Sequence, residues 1–100
     1  MGEFSEILVT PEILKRSAKV MEEALQQALM GYREIGETVS SLESCFQGKS
    51  ADRMRKRIGK KKEKGIEMIE EMMYFPDRLI EIAEEYEKAE KENKDAANRN

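Results

Sequence analysis

The sequence predicts an all-α protein, an antiparallel helix-turn-helix hairpin that dimerises into a four-helix bundle. Charged residues form 39% of the 100-residue chain, which has no tryptophan and two prolines. That balance is typical of long exposed helices. Apolar residues recur at alternating intervals of three and four in both halves, which is the spacing of a heptad seam. A predicted turn over residues 46–49 separates the halves, and Gly48 there permits the chain to reverse.

Helix one is predicted over residues 11–45. Thr10 is suited to the N-cap, and Pro11 to the first helical position, where its missing amide proton does no harm. The heptad seam of this helix consists of Leu14, Ala18, Met21, Leu25, Ala28, Tyr32, Ile35, Val39, Leu42 and Phe46. We expect Phe46 to cover the end of the seam, and Cys45 to fill space beside it as a small apolar side chain.

Helix two is predicted over residues 50–92, with Ser50 as its N-cap. Its heptad seam consists of Ala51, Met54, Ile58, Lys61, Gly65, Met68, Met72, Phe75, Leu79, Ile82, Tyr86 and Ala89. Lys61 interrupts the seam and is expected to direct its ammonium group outward, whereas Gly65 permits a close approach of two backbones. Pro76 costs roughly 3 kcal/mol inside a helix and is expected to kink it.

Both ends of the chain are expected to be less regular, although residues 1–100 are predicted to form a single domain. The polar tail over residues 93–100 is predicted to fray. Phe4, Ile7 and Leu8 are expected to pack at the open end of the hairpin.

A second row of apolar and small residues lies beside each seam. It consists of Ile13, Val20, Ala24, Gly31, Ile66, Ile69, Met73, Ile80 and Ala83. A hairpin closes one seam internally but not two, so this row is predicted to be a dimer interface with a second helical hairpin. The alternative is a wide apolar face that lysine and arginine stems partly cover.

The composition argues against an enzyme. Without any histidine, histidine triads, general bases and metal ligands are excluded, and Cys45 cannot form a cysteine–histidine nucleophile. We expect no catalytic residue, no metal and no cofactor. The lone cysteine cannot close an intrachain disulfide. The first residues lack the features of a cleaved signal peptide, and no stretch is long enough to insert stably into a membrane.

A basic run from Arg53 to Lys64 holds eight lysines and arginines against one acid, Glu63. Such charge density favours phosphate, anionic lipid or an acidic protein as a partner. The alternative is a solvated face partly paired with Glu34, Glu37 and Glu43 on the facing stretch. Little aromatic interleaving is present to stack bases, so we expect no nucleic acid and favour an acidic partner protein.

Two short motifs carry a family resemblance: Phe46-Gln47-Gly48 at the turn, and Tyr86 followed four residues later by Glu90. Together with "VTPEIL" and "GKSADRM" they make nearly the whole chain resemble the WXG family, small substrates and partners of type VII secretion. Phe46 stands where that family has tryptophan. The resemblance implies a bacterial protein exported from the cytoplasm without a cleaved signal peptide. It also implies a homodimer or a heterodimer with a related hairpin, recognised by a membrane ATPase.

The resemblance assigns Phe46 and Gly48 to the turn motif, and Tyr86 and Glu90 to a secretion signal. The alternative for the signal is that Tyr86 ends the seam with a wet hydroxyl while Glu90 is solvated. Two other functions stay open. The chain could be an accessory subunit that binds the helical leader of a larger secreted toxin, or a cytosolic coiled-coil adaptor that uses the basic run on an anionic partner.

Overall fold

A computed structural model of the chain describes residues 9–98. It contains three helices, α1 (Pro11–Ser41), α2 (Lys49–Met72) and α3 (Tyr74–Asn98), and no strand within that range. The predicted all-α class is therefore confirmed. The expected packing of Phe4, Ile7 and Leu8 falls outside the described residues.

The chain divides into two compact units, whereas the sequence-based prediction treated it as one domain. The hairpin unit comprises Glu23–Met73, which includes the second half of α1 and all of α2. The terminal unit comprises Met1–Glu22 together with Tyr74–Asn100, so its described helices are the first part of α1 and α3.

The N-terminus of α1 is capped by Thr10, as predicted. The amide of Ile13 donates a hydrogen bond to Thr10 Oγ1 at 3.2 Å. The amide of Leu14 donates to the Thr10 carbonyl at 3.1 Å, which is the first hydrogen bond of the helix. The hydroxyl thus satisfies one of the amides that have no partner inside the helix.

The C-terminus of α1 lies at Ser41, four residues earlier than predicted. The Thr38 hydroxyl donates to the Glu34 carbonyl at 2.8 Å, and the Ser41 hydroxyl donates to the Thr38 carbonyl at 2.8 Å. Such hydroxyls offer the backbone alternatives to regular helical bonding. The amide of Leu42 accordingly bonds three residues back, to the Val39 carbonyl at 3.2 Å, so the last turn tightens before the chain reverses.

Gly48 makes the reversal between α1 and α2 possible, as expected. Its φ is +114° and its ψ is 174°, a combination that essentially only glycine adopts. Its carbonyl accepts the amide of Asp52 at 2.9 Å, and α2 begins at Lys49. The prediction that Ser50 caps α2 is wrong. Ser50 is already the second residue of the helix, and no side chain caps its start.

The helix predicted over residues 50–92 is interrupted at Met73, three residues before the expected kink at Pro76. Proline cannot donate to the carbonyl four residues earlier, which is that of Met72, and in a continuous helix its ring crowds that carbonyl. The effect of Pro76 therefore falls one turn upstream of it. Within α3, Pro76 occupies the first turn, where a missing amide proton costs little.

The C-terminal tail was predicted to fray from residue 93, but α3 continues to Asn98. Opposite charges stand four residues apart at Glu90 and Lys94 and at Lys91 and Asp95. Pairs at this spacing stabilise a helix, and the alanines among them have high helix propensity.

In the hairpin unit, α1 and α2 run antiparallel and approach closely at two glycines. The ring of Tyr32 lies over Gly65, where a Cβ atom would clash with it. The stem of Lys62 crosses Gly36, where a Cβ atom would lie 2.7 Å from Lys62 Nζ. Tyr32 precedes Gly36 whereas Gly65 follows Lys62, which is the order of an antiparallel pair. The predicted helical hairpin is present here.

The row of α2 that is covered differs from the predicted seam by one residue at four of the seven seam positions of this helix. Ala51 and Gly65 are buried and Ile58 is half-buried, in agreement with the seam. The other predicted seam residues of this helix, Met54, Lys61, Met68 and Met72, are exposed. The residues that replace them on the covered side are Arg55, Lys62, Ile69 and Met73, half-buried or buried. Glycines that admit Tyr32 and the Lys62 stem favour this orientation, because both helices can then approach closely.

The terminal unit buries small residues on both of its helices. Ala18 of α1 and Ala83 of α3 have no exposed surface, and Pro76 is also fully buried. Lys15 Nζ forms an ion pair with Glu87 Oε1 at 2.9 Å, which links the two helices at the surface.

Candidate functional site

The turn motif presents its aromatic side chain outward. Phe46 is 40% exposed, so the expectation that it covers the end of the seam is wrong for the single chain. The backbone at this point is instead fixed from α2. Arg55 Nη1 donates to the Phe46 carbonyl at 2.7 Å, and the same guanidinium pairs with Asp52. The sequence identifies Arg55 only as part of the basic run. Asp52, three residues before Arg55 and in the first turn of α2, is the signal that could reveal its role.

Cys45 is exposed and has a free thiol, so it does not fill space inside the chain as expected. Its sulfur lies 3.6 Å from the Leu42 carbonyl oxygen, in the tightened turn after α1. Because α1 ends at Ser41, the regular helix that was expected to carry Cys45 beside the seam does not extend to this residue.

Tyr86 and Glu90, the predicted secretion signal, lie together on the outer surface of α3. Tyr86 is 49% exposed and Glu90 is also exposed. Four residues apart on an intact helix, they share one face. Phe46 and Gly48 belong to the hairpin unit whereas Tyr86 and Glu90 belong to the terminal unit.

The hairpin unit contains a groove of about 750 Å³ between α1 and α2. Its large apolar lining residues, called the floor below, are Tyr32, Ile35, Met54 and Ile58. Ile35 and Met54 are 46% and 44% exposed. Both belong to the predicted seams that were expected to close on each other. This half of the seam is therefore open as a groove.

Cations from the basic run line the same groove. The cationic lining residues are Arg53, Arg57, Lys61 and Lys62. The alternative for the basic run, a partial pairing with Glu34, Glu37 and Glu43, finds no ion pair at salt-bridge distance among the described residues. Over residues 9–98, the basic run forms one ion pair at salt-bridge distance, between Arg55 and Asp52.

The residues of the predicted dimer interface fall into three groups. Ile13, Val20, Ala24 and Ile80 are exposed, and Gly31, Ile66 and Met73 are half-buried. Ile69 and Ala83 are buried within the chain, so the prediction that they face a partner is wrong. Their burial follows from the one-residue shift in the covered row of α2 and from the close packing that alanine allows in the terminal unit.

Other large apolar side chains are also exposed on the same helices, including Met30, Met68 and Phe75. Tyr74 and Phe75 pack edge to face with ring centroids 5.7 Å apart, yet both remain more than half exposed.

The pKa values of two cationic side chains in the terminal unit are raised. The hydrogen bond to Glu87 raises the pKa of Lys15, and bonds to Glu85 and Glu81 raise the pKa of Arg78. Each raised pKa extends the charged form of the side chain to higher pH, so the contribution of Lys15 to its pair with Glu87 is lost as the pH rises through the raised lysine pKa.

Within residues 9–98 no cluster of three or more potential metal-binding side chains occurs. In the same part of the chain, none of the helices combines the length and hydropathy required to cross a bilayer. No protein-family model, no curated protein and no solved structure matches this chain.

Proposed function

We propose that this chain is a small non-enzymatic protein that pairs with a second helical hairpin and is exported by a type VII secretion system. The pairing is supported by the exposed row, which we define as the exposed residues of the predicted dimer interface. Its large apolar side chains are Ile13, Val20 and Ile80. Among the residues described, only Leu25 and Ile69 are large hydrophobic side chains in the buried core. A chain of this size obtains limited stability from so small a core, and a partner that covers the exposed row would supply more.

The partner is either a second copy of this chain or a related helical hairpin. On α1, the exposed interface residues Ile13, Val20 and Ala24 recur at intervals of seven and four. A helix packed along them would bury one continuous stripe.

Mass measurement in solution tests the pairing. Sedimentation of the purified chain at micromolar concentration is expected to give a dimer, or a dimer only after mixing with a related hairpin encoded beside it. Val20→Lys, at a position 61% exposed, is expected to dissociate the pair. Gln26→Lys adds the same charge at an exposed position outside the row and is its control. A stable folded monomer under all these conditions contradicts the pairing.

The export part of the proposal is supported by the placement of Tyr86 and Glu90 on one exposed face of α3. Tyr86→Ala is expected to abolish secretion while circular dichroism shows unchanged helix content. Tyr74→Ala removes another exposed tyrosine from the same helix and is expected to leave secretion intact. Equal secretion of both variants contradicts the role of Tyr86 as a signal.

Phe46 supports a docking role for the turn because its ring is exposed instead of packed. Phe46→Ala is therefore expected to reduce secretion without unfolding the chain. A variant that folds, pairs and is fully secreted would leave the turn aromatic without that role.

A second candidate is an accessory subunit that binds the helical leader of a larger secreted toxin and escorts it to the secretion ATPase. The open groove of the hairpin unit favours this candidate, since a leader helix could occupy it. Co-purification separates the two: a soluble homodimer alone supports self-pairing, whereas insolubility without a neighbouring leader supports the escort function.

A further inference from the structure

The groove of the hairpin unit combines an apolar floor with an ordered row of positive charge. Arg53, Arg57 and Lys61 follow one another at intervals of four residues along α2. Four residues of an α-helix advance about 6 Å, so the three cations mark a line of roughly 12 Å along the groove. The exposed side chains of Ile35 and Met54 lie in the floor beside this line.

The acids of the described hairpin unit form no ion pair with this row of cations. Arg53, Arg57 and Lys61 have no carboxylate within salt-bridge distance in the described range. Like charges at intervals of four residues also repel one another and weaken the helix that carries them. A ligand that brings negative charge to this line would remove the repulsion as well as form new ion pairs.

We infer that the groove binds an acidic amphipathic helix supplied by another protein. Apolar side chains at positions i, i+3 and i+4 of that helix occupy the floor over Tyr32, Ile35 and Met54. Carboxylates at every fourth residue of that helix are separated by about 6 Å along its axis, which is the spacing of the cations on α2. Each carboxylate can therefore pair with one of Arg53, Arg57 and Lys61. This binding mode depends on neither export nor the pairing of the exposed row.

Other anionic ligands fit the groove less well. A single-stranded nucleic acid needs aromatic platforms for its bases, and Tyr32 is the one aromatic side chain in the groove. An anionic lipid places its charge at one end of a long apolar tail, whereas these cations continue along the groove. An amphipathic helix presents charged side chains at regular intervals beside a row of apolar side chains, and this arrangement matches the cations and the apolar floor of the groove.

Fluorescence anisotropy tests the inference on the full chain. The probe is a labelled peptide of about 14 residues, roughly four helical turns, with leucines on one face and glutamates flanking them. The matched peptide has lysine in place of every glutamate. Titrations in about 0.1 M and about 1 M sodium chloride shorten the Debye length from about 10 to about 3 Å, so binding of the acidic peptide is expected to weaken at high salt.

Two double variants locate the binding site. Arg53→Glu with Arg57→Glu reverses two charges on the groove, whereas Lys56→Glu with Lys60→Glu makes the same change in net charge on exposed residues of the same helix outside it. The first is expected to weaken binding at least about tenfold and the second less than about threefold, because close charge pairs contribute more than distant ones. Circular dichroism verifies that both variants stay helical.

Several outcomes would overturn the inference. They are equal weakening by the two double variants, no binding of the acidic peptide, and equal binding of the lysine peptide. Phosphatidylglycerol vesicles that bind more tightly than the peptide, with the same sensitivity to Arg53→Glu and Arg57→Glu, would assign the groove to lipid. A dimer in sedimentation that those two substitutions dissociate would assign it to a second copy of the chain.

Discussion

The hairpin unit and the terminal unit pack their helices in different ways. The terminal unit buries an alanine completely on each of its helices, Ala18 and Ala83. The hairpin unit instead places the large side chain of Tyr32 over Gly65 and the stem of Lys62 over Gly36. A glycine beneath a large side chain therefore brings two helices together along one row, while the neighbouring apolar row remains open as a groove.

The substitution with the largest expected effect tests the close packing of the terminal unit. Ala18→Leu adds three carbons where no space is exposed and is expected to lower the free energy of unfolding by about 2 to 3 kcal/mol. Ala89→Leu makes the same change at an exposed position of α3, outside the predicted dimer interface, and is expected to change stability little. Urea unfolding at one fixed protein concentration measures both, since pairing also contributes to stability. Equal losses would show that Ala18 is not closely packed.

Gly65→Ala tests the glycine of the hairpin unit. The new methyl group would clash with the Tyr32 ring, and we expect a net loss of about 1 to 2 kcal/mol even though alanine has the higher helix propensity. Gly59→Ala, on the same helix with open space around it, is expected to gain up to about 1 kcal/mol. In a Tyr32→Ala background the loss at Gly65 should disappear. If it persists, Tyr32 does not determine the requirement for glycine.

Gly48→Ala tests the reversal between α1 and α2. Its φ of +114° strains any side chain although the surrounding space is open, and the expected loss is about 1 kcal/mol. Gly59→Ala is again the control, because Gly59 lies within α2, outside the predicted dimer interface, and has open space around it. Thermal unfolding followed by circular dichroism should separate the two. A loss at both positions would point to a general effect of the substitution and not to the turn.

Thr10→Ala gives the smallest expected effect and compares the helix starts of the two units, since α1 has a side-chain cap and α2 has none. Loss of the bond from the Ile13 amide is expected to cost about 0.5 to 1 kcal/mol. Thr10→Ser keeps an acceptor and is expected to retain most of the stability. Ser50→Ala at the start of α2 should be nearly neutral, and a clear loss there would indicate that Ser50 does cap the helix.

Local features of the fold were predicted well from the sequence. The Thr10 cap, the start of α1 at Pro11 and the reversal at Gly48 each depend on one or two neighbouring residues, and all three are present. The errors at Ser41 and Met73 were shifts of three or four residues. They arose because hydroxyls at Thr38 and Ser41, and the ring of Pro76, act on carbonyls three or four residues away.

The candidate groove could not be predicted, although its residues were identified as seam and basic run. Two apolar rows lie side by side on α2, and heptad spacing gives no reason to prefer one. In the structure Ile69 is buried, whereas Met54 and Met68 are exposed to solvent. Arg53 and Arg57 also form no ion pair with the acids of the facing stretch, the pairing that was the alternative for the basic run.

The sequence by itself determined the helical class, the position of the reversal and the presence of more apolar helix surface than the chain buries. These follow from residue spacing and from the backbone preferences of threonine, proline and glycine, which act over a few residues. Only the tertiary structure decided which apolar row is covered, and hence where the groove opens. That choice depends on whether Tyr32 and Lys62 can lie over glycines far away in the chain, which is a property of two helices in contact and not of either one alone.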